Sequence, residues 1–208
     1  MIFMEKLKTD YILNQLELMF PNAGCELNYS NVYELLIAVV LSAQTTDVRV
    51  NLVTKELFSK CKNVYELANA NYDECLEIIK SLGLSKTKTT NIINLANELI
   101  RRFNGIVPSN FDDLVSLPGV GRKTANVVLS EGFHIPAIAV DTHVSRVANR
   151  LGLSESSDVL KIEYDLREKI EENRWHKAHH LFIFFGRYFC KAKNPNCEEC
   201  PFKNHCFK

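Results

Sequence analysis

Residues 117–129 read LPGVGRKTANVVL, and this stretch is the most informative about the fold. Pro118 and Gly119 end one helical segment, and Gly121 opens the next. Glycine tolerates unusual backbone angles and lets another molecule approach the main chain closely. The first turn of a helix exposes unpaired N–H groups at the positive end of the dipole, which attracts anions. The segment therefore predicts a corner between two helices that can hold a phosphate. An ordinary helix corner without a ligand is the alternative.

Lys123 lies in the first turn of the second helix, directly after Arg122. The positive end of a helix dipole is an unfavourable place for a cation. A surface lysine that contacts a phosphate would explain the residue. A nucleophilic amine must instead be uncharged, because only a free lone pair can attack carbon. The helix terminus, Arg122 and the partial burial that we expect there all favour the uncharged form, so Lys123 is also a candidate nucleophile.

Asp141 stands between the apolar segment IPAIAV (135–140) and a helical run that begins at 142. Aspartate is favoured at that position because its carboxylate caps the free N–H groups of the helix. A carboxylate fixed in this way could also assist an amine or stabilise a cationic sugar in a transition state. The residue is therefore predicted to be a cap, and a catalytic role is compatible with capping. We expect His143 to be structural or to contact a phosphate.

Helical periodicity extends from these segments over nearly the whole chain. The pattern predicts helices at about 6–20, 32–43, 47–59, 64–69, 72–81, 87–103, 111–116, 121–131, 142–151, 157–171 and 176–189. Residues 32–43 are apolar almost all round, which is typical of a central buried helix. No segment alternates convincingly as a strand does, and IPAIAV is too short to build a sheet, so we expect a linker there. The sequence predicts an all-α protein.

Four of the seven cysteines lie in the last nineteen residues, at Cys190, Cys197, Cys200 and Cys206. Thiolates this close together in a reducing compartment indicate a soft metal centre rather than disulfides. Zinc sites usually pair two CxxC motifs across a longer loop, whereas intervals of six, two and five residues contain one CxxC. The spacing therefore favours a [4Fe–4S] cluster over zinc. Lys191 and Lys193 lie between the first two ligands, where they either contact phosphate or are simply solvated.

Composition limits the remaining possibilities. The chain has 208 residues, 46% of them hydrophobic, which is ample for a buried core. Basic and acidic residues both number 25, so DNA binding would need a local basic face rather than an overall positive field. No apolar run is long enough to span a membrane, and the first twenty residues lack the pattern of a secretory signal. We therefore expect an intracellular protein. Cys25, Cys61 and Cys75 are expected to be buried thiols.

These segments together resemble the endonuclease III family of helix-hairpin-helix DNA glycosylases, from ELNYSNVYELLIAVVLSAQTTDVRVN (26–51) to Cys206. The resemblance implies a six-helix domain with the hairpin over 25–135. It implies a discontinuous four-helix iron–sulfur domain over 1–24 and 136–208, with a DNA-binding cleft between the two lobes. The string LPGVGRKTA matches the hairpin that binds the DNA backbone, so the resemblance assigns DNA contact to Leu117, Gly119, Val120, Gly121 and Arg122.

The resemblance also implies an activity: excision of oxidised pyrimidines in base excision repair, followed by abasic-site lyase cleavage through a lysine Schiff base and β-elimination. Lys123 would be the nucleophile and Asp141 its carboxylate partner. Gln44, in LSAQTTD, matches a residue that enters the gap left by a flipped nucleotide, and Leu84, in SLGLSKTK, matches an apolar wedge. A helix-capping polar residue and a core leucine are the plain alternatives. The family commonly has an aromatic residue where this chain has Ser85.

The implied partner is double-stranded DNA with a damaged pyrimidine or an abasic site, bound by a monomer in the cytoplasm, at the nucleoid, away from membranes. Two other functions are weighed against this one. An adenine-mismatch glycosylase of the same superfamily lacks a lysine at the position of Lys123. A non-catalytic iron–sulfur protein that binds DNA or transfers electrons would need neither Lys123 nor Asp141.

Overall fold

The computed structural model describes residues 8–207, and within that range the chain is helical with no strand. The α-helices are α1 (Thr9–Met19), α2 (Val32–Leu41), α3 (Asp47–Lys60), α4 (Val64–Ala68), α5 (Tyr72–Ile79), α6 (Ser85–Phe103), α7 (Phe111–Val115), α8 (Arg122–Val127), α9 (Thr142–Arg150), α10 (Val159–Lys169) and α11 (Trp175–Phe184). Two π-helical turns, Val128–Gly132 and Phe185–Phe189, continue α8 and α11. The prediction of an all-α protein is confirmed. Residues 6 and 7, the predicted start of the first helix, lie outside the described range.

Side-chain caps fix the starts of six helices. Asparagine or aspartate side chains accept hydrogen bonds from the first-turn N–H groups of α2, α4, α5, α7, α9 and α10. At α2 the cap is reciprocal, since Asn31 accepts from Glu34 N at 3.0 Å and the Glu34 carboxylate accepts from Ser30 N at 2.7 Å. A cap of this kind contributes about 1 kcal/mol. These local signals explain why the helices begin where the sequence predicts them.

The chain divides into two compact units. The hairpin unit is Glu26–Ile135, and the cysteine unit combines the chain up to Cys25 with the chain from Pro136 onwards. The core of the hairpin unit is built around α2, in which every residue from Leu35 to Leu41 is buried. This confirms the predicted central helix. Cys61 and Cys75 are buried in the same unit, as expected, whereas Cys25 is partly exposed.

The cysteine unit has its own core, formed by α1, α9, α10, α11 and the π-helical turn after α11. Phe182, Phe185 and Phe202 are fully buried there, and the rings of Phe185 and Phe202 meet edge to face at 5.7 Å between centroids. The segment 135–140 has no regular structure, as predicted, but Ile138 and Val140 are packed into this core. Among residues 8–207, no helix combines the length and apolar character that crossing a membrane requires.

Candidate functional site

The predicted hairpin is a tight turn between α7 and α8. Val120 N donates to Leu117 O at 3.1 Å, and Gly119 has a left-handed backbone with φ of +76°. A Cβ atom at Gly119 would lie 3.0 Å from the Asn91 side chain, so glycine is required both by conformation and by space. Gly121 is the N-cap of α8 and has open space around the position of a Cβ atom. The turn therefore exposes main chain that a phosphate can approach closely.

Two of the residues predicted to bind DNA in this turn have buried side chains. Leu117 is 3% exposed and Val120 is 6% exposed, so only their main-chain groups remain available to a ligand. Both side chains are apolar and anchor the turn in the core of the hairpin unit, and DNA contact through the main chain of these residues stays a prediction. Gly119 and Gly121 are exposed, and Arg122 is partly exposed with its guanidinium 4.9 Å above the Phe111 ring.

Lys123 lies in the first turn of α8, and its side chain is exposed. The prediction that the Lys123 side chain is partly buried is therefore wrong for the protein without DNA. The buried residues of α8 are Ala125, Asn126 and Val127, and Lys123 lies in the first turn before them. An exposed primary amine directly after an exposed glycine turn is open to a large substrate.

Gln44 and Leu84 share an unusual backbone conformation. Both are in the left-handed region, with φ of 55° for Gln44 and 59° for Leu84. Such a conformation costs about 1–3 kcal/mol in a non-glycine residue and is often found at functional sites. Neither plain alternative holds, since Leu84 is 60% exposed and the caps flanking Gln44 are Ser42 of α2 and Thr46 of α3. Both side chains are therefore displayed on the surface of the hairpin unit.

Asp141 is the N-cap of α9, as predicted. Its Oδ1 accepts hydrogen bonds from His143 N and Val144 N, each at 2.8 Å. The carboxylate is partly buried, and both capping bonds use the same oxygen, so Oδ2 takes no part in them. This geometry fixes the orientation of the carboxylate.

The start of α9 is joined to the cysteine region by Arg146. Its Nη2 donates to Gly186 O at 2.7 Å and its Nε to Cys190 O at 3.2 Å, while Nη2 also lies 3.2 Å from His143 Nδ1. Gly186 permits this contact, since a Cβ atom there would lie 3.0 Å from His143 Cβ. These contacts support a structural role for His143, one of its two predicted roles.

Cys190, Cys197, Cys200 and Cys206 line one cavity of about 130 Å³. Arg150 Nη1 donates to Cys190 Sγ at 3.3 Å and to Lys191 O at 2.9 Å. The cavity is also lined by Arg150, Phe189 and Lys203, and it brings the four cysteines together. Four thiolates in one place are the donor set of a soft metal centre, so these residues fit the cluster that their spacing predicts. Lys191 and Lys193 are exposed in the loop that follows Cys190, and phosphate contact by these lysines stays a prediction.

Sequence reasoning missed two residues that support the site, Lys88 and Asn91. Lys88 is buried, and Asn91 packs beneath Gly119. A signal was present in the sequence, because Lys88 precedes the buried Ile92, Leu95 and Leu99 at helical spacing. A lysine on the apolar face of a helix marks a buried cation that needs an explanation.

Comparison with known proteins agrees with this geometry. The HhH-GPD superfamily base excision DNA repair protein family matches residues 37–172, and the iron–sulfur binding domain of endonuclease III matches residues 190–206. Endonuclease III of Bacillus subtilis (strain 168) is 50% identical over 198 residues, which cover 95% of this chain and 90% of that protein. Endonuclease III of Haemophilus influenzae (strain ATCC 51907 / DSM 11121 / KW20 / Rd) is 42% identical over 203 residues, 98% of this chain and 96% of that protein.

A solved structure of a trapped endonuclease III–DNA covalent intermediate, an estranged-adenine complex, matches with a TM-score of 0.92. Its sequence is 49% identical, and the match covers 95% of this chain and 93% of that chain. The prediction of the cofactor is confirmed: the chain carries a [4Fe–4S] cluster. The chain belongs to the endonuclease III family, within the HhH-GPD superfamily of base excision DNA repair proteins.

Proposed function

We propose that this chain excises oxidised pyrimidines from double-stranded DNA and then cuts the strand at the resulting abasic site. As a member of its family, the chain is a base excision repair DNA glycosylase and abasic-site lyase. The observation that best supports the proposed chemistry is the exposed Lys123, which lies two residues after Gly121 in the first turn of α8. The hairpin supplies an anchor for a phosphate, and the amine supplies a nucleophile.

Binding begins at the main chain of the hairpin. Gly119 and Gly121 are exposed residues, main-chain N–H groups in such a turn are suited to a phosphate oxygen, and Arg122 adds a positive charge. Gln44 and Leu84 enter the duplex, Gln44 in place of the flipped nucleotide and Leu84 as a wedge. Flipping costs a few kcal/mol and is easiest where the damaged pair is already weak, which contributes to lesion selection.

The chemistry then proceeds at the flipped sugar. The Nζ lone pair of Lys123 attacks C1′, the bond from C1′ to the base breaks, the base leaves with the bonding electron pair, and the attacking nitrogen gives up a proton. Ring opening gives a Schiff base between Nζ and C1′. Loss of a proton from C2′ breaks the C3′–O bond by β-elimination and cuts the strand, and water then releases the lysine. The Asp141 carboxylate stabilises positive charge that develops on the sugar and the amine.

We assign the four cysteines as the ligands of the cluster. Bound there, the cluster cross-links the C-terminal loop, in the way that metal centres stabilise small folds. Cys190 carries the hydrogen bond from Arg150, which sits at the edge of the same cavity. The fixed loop presents Lys191 and Lys193 to phosphates.

Further proposals concern the organisation of the protein. The hairpin unit and the cysteine unit correspond to the six-helix and iron–sulfur domains that the resemblance implies. The enzyme acts as a monomer on chromosomal DNA, in the cytoplasm at the nucleoid.

A duplex assay tests the proposed function. Purified protein is incubated with three duplexes that carry thymine glycol, an abasic site, or adenine opposite 8-oxoguanine. We expect strand cleavage without added alkali on the first two and no product on the third. Strand breakage of the mismatch duplex alone, and only after alkali is added, would indicate a mismatch glycosylase that removes adenine without lyase activity. Binding without cleavage of abasic DNA would indicate a non-catalytic DNA-binding protein.

A further inference from the structure

Lys88 is a buried lysine that the proposed reaction does not use. It lies in the first turn of α6 and is 4% exposed. Its Nζ donates to Thr45 Oγ1 at 2.8 Å, and no carboxylate of residues 8–207 forms an ion pair with it. Burial lowers the pKa of the amine. Burying a cation against a single hydroxyl costs free energy of folding. Stability therefore does not explain why a lysine is buried at this position.

The hydrogen bonds of Lys88 lead to both sides of Gln44. Thr45, which accepts from Lys88, follows Gln44 directly, and the Thr45 hydroxyl in turn donates to Ala43 O at 3.4 Å. The Thr45 hydroxyl thus links the residues on the two sides of Gln44. The hydrogen bond that it accepts from Lys88 Nζ connects it to α6. Because Gln44 has a left-handed backbone, this external restraint holds a conformation that the residue would otherwise leave.

Lys88 is also tied to the second left-handed residue. Its backbone N donates to Leu84 O at 2.9 Å, which fixes the turn that precedes α6. The two turns are close, since a Cβ atom at Gly83 would lie 3.9 Å from Gln44 O. One residue therefore connects the Gln44 turn through its side chain and the Leu84 turn through its main chain.

The same face of α6 also reaches the hairpin. Lys88 and Asn91 are three residues apart on α6 and lie on one side of the helix, and Leu84 is the N-cap residue that precedes it. Asn91 packs beneath Gly119, with 3.0 Å between its side chain and the position of a Cβ atom there. This face of α6 thus contacts the three segments of the hairpin unit to which we assign DNA contacts.

We propose that Lys88 is a positioning residue that holds Gln44 in register with Leu84, so that both side chains enter the duplex together. The inference rests on the proposed roles of Gln44 and Leu84 in DNA. Lys88 itself does not touch DNA. A leucine or methionine of similar length would pack in its place without the cost of burying a cation, but it would leave the Gln44 turn without its restraint.

The test separates intercalation from general DNA binding. Lys88→Met removes the donor, Thr45→Val removes the acceptor with little change of shape, and Thr45→Ser keeps the hydroxyl as a matched control. Fluorescence of 2-aminopurine opposite an abasic-site analogue reports unstacking. Anisotropy gives affinity for that duplex and for an undamaged one. The cluster absorbance and the melting temperature check that each variant is folded.

We expect Lys88→Met and Thr45→Val each to weaken unstacking and binding of the abasic duplex about tenfold or more, the effect of losing a charged hydrogen bond. Affinity for the undamaged duplex should change less than about twofold, and Thr45→Ser should resemble the unmodified protein. Thr45 is partly exposed, so Thr45→Val tests the idea even if Lys88→Met fails to fold.

Two results would overturn the proposal: normal unstacking in folded Thr45→Val, or an equal loss of affinity for both duplexes. Failure of the unmodified protein to unstack or cleave abasic DNA would instead count against the proposed function. The two failures are therefore distinguishable.

Discussion

Gly119 and Gly121 lie two residues apart in the hairpin, yet they differ in backbone conformation and in the space around them. Gly119 has a left-handed backbone and is crowded by Asn91, whereas Gly121 has an extended backbone with φ of −94° and open space around it. A Cβ atom is therefore strained at the first position and harmless to folding at the second. Both positions are exposed, so both bear on the approach of a phosphate.

Gly119→Ala should lower the free energy of unfolding by about 1–3 kcal/mol, because alanine is strained at positive φ. It should also weaken binding to undamaged duplex DNA. Gly121→Ala is the matched control: its melting temperature should stay the same, while DNA affinity falls because the Cβ atom meets the phosphate. Thermal unfolding and anisotropy measure the two effects. Equal stability of the two variants would contradict this account of the turn.

Asp141 combines a cap with a proposed catalytic carboxylate, and substitution can separate the two. Asparagine caps a helix about as well as aspartate, so Asp141→Asn should change stability by less than about 0.5 kcal/mol. Its rate on abasic DNA should fall about 100-fold or more, because the negative charge is lost. Asp141→Ala should lose the cap as well, at a cost of about 1 kcal/mol. Full activity of the folded asparagine variant would leave Asp141 as a cap only.

At the scale of the elements, Lys191 and Lys193 are exposed in the loop after Cys190. They either contact phosphates or are simply solvated. If both contact phosphates, Lys191→Ala with Lys193→Ala should reduce the slope of log affinity against log salt by about 2. Lys55→Ala with Lys60→Ala, exposed lysines on α3, is the control and should leave the slope unchanged. Titrations at several salt concentrations measure the slopes. Unchanged slope in the loop variant would show that Lys191 and Lys193 are merely solvated.

Helix positions were predictable because they depend on local signals. Periodicity and the asparagine and aspartate caps, such as Asn31 and Asp141, act within a few residues of each helix start. The orientation of individual side chains was less predictable. The sequence does not show that Leu117 and Val120 turn inward, that Lys123 is exposed, or that Lys88 reaches Thr45. Those facts depend on how a turn packs on elements distant in sequence.

The π-helical turns after α8 and α11 were also not predicted. Val128–Gly132 and Phe185–Phe189 continue the apolar pattern of the helices before them, so periodicity alone reads each as one helix. The cysteine spacing is the opposite case. Four ligands within one short segment are a local pattern, and the structure places all four around one cavity.

At the scale of the whole molecule, the two units have separate cores, and the predicted cluster ligands belong to the cysteine unit. Cys206→Ser should therefore remove the brown colour of the cluster and lower the stability of the cysteine unit. The helices of the hairpin unit, which are packed around α2, should persist. Hydrogen exchange of the two units measures this difference, with Cys61→Ser as a buried control that keeps the cluster. Full cluster absorbance in Cys206→Ser would remove that residue from the ligand set.

Zero net charge makes DNA binding a property of local surfaces rather than of the whole molecule. The hairpin main chain, Arg122 and the loop lysines are the proposed surfaces. Such contacts release counterions, so affinity should still fall steeply with salt.

Borohydride trapping on abasic DNA is the measurement that bears most directly on the central claim, that the Lys123 amine bonds to the sugar. The unmodified protein and Lys55→Ala should form a covalent DNA adduct, and peptide mapping should place it on Lys123. Lys123→Ala should form none while it still binds the duplex. An adduct of undiminished yield in Lys123→Ala, mapped to another amine, would contradict the account.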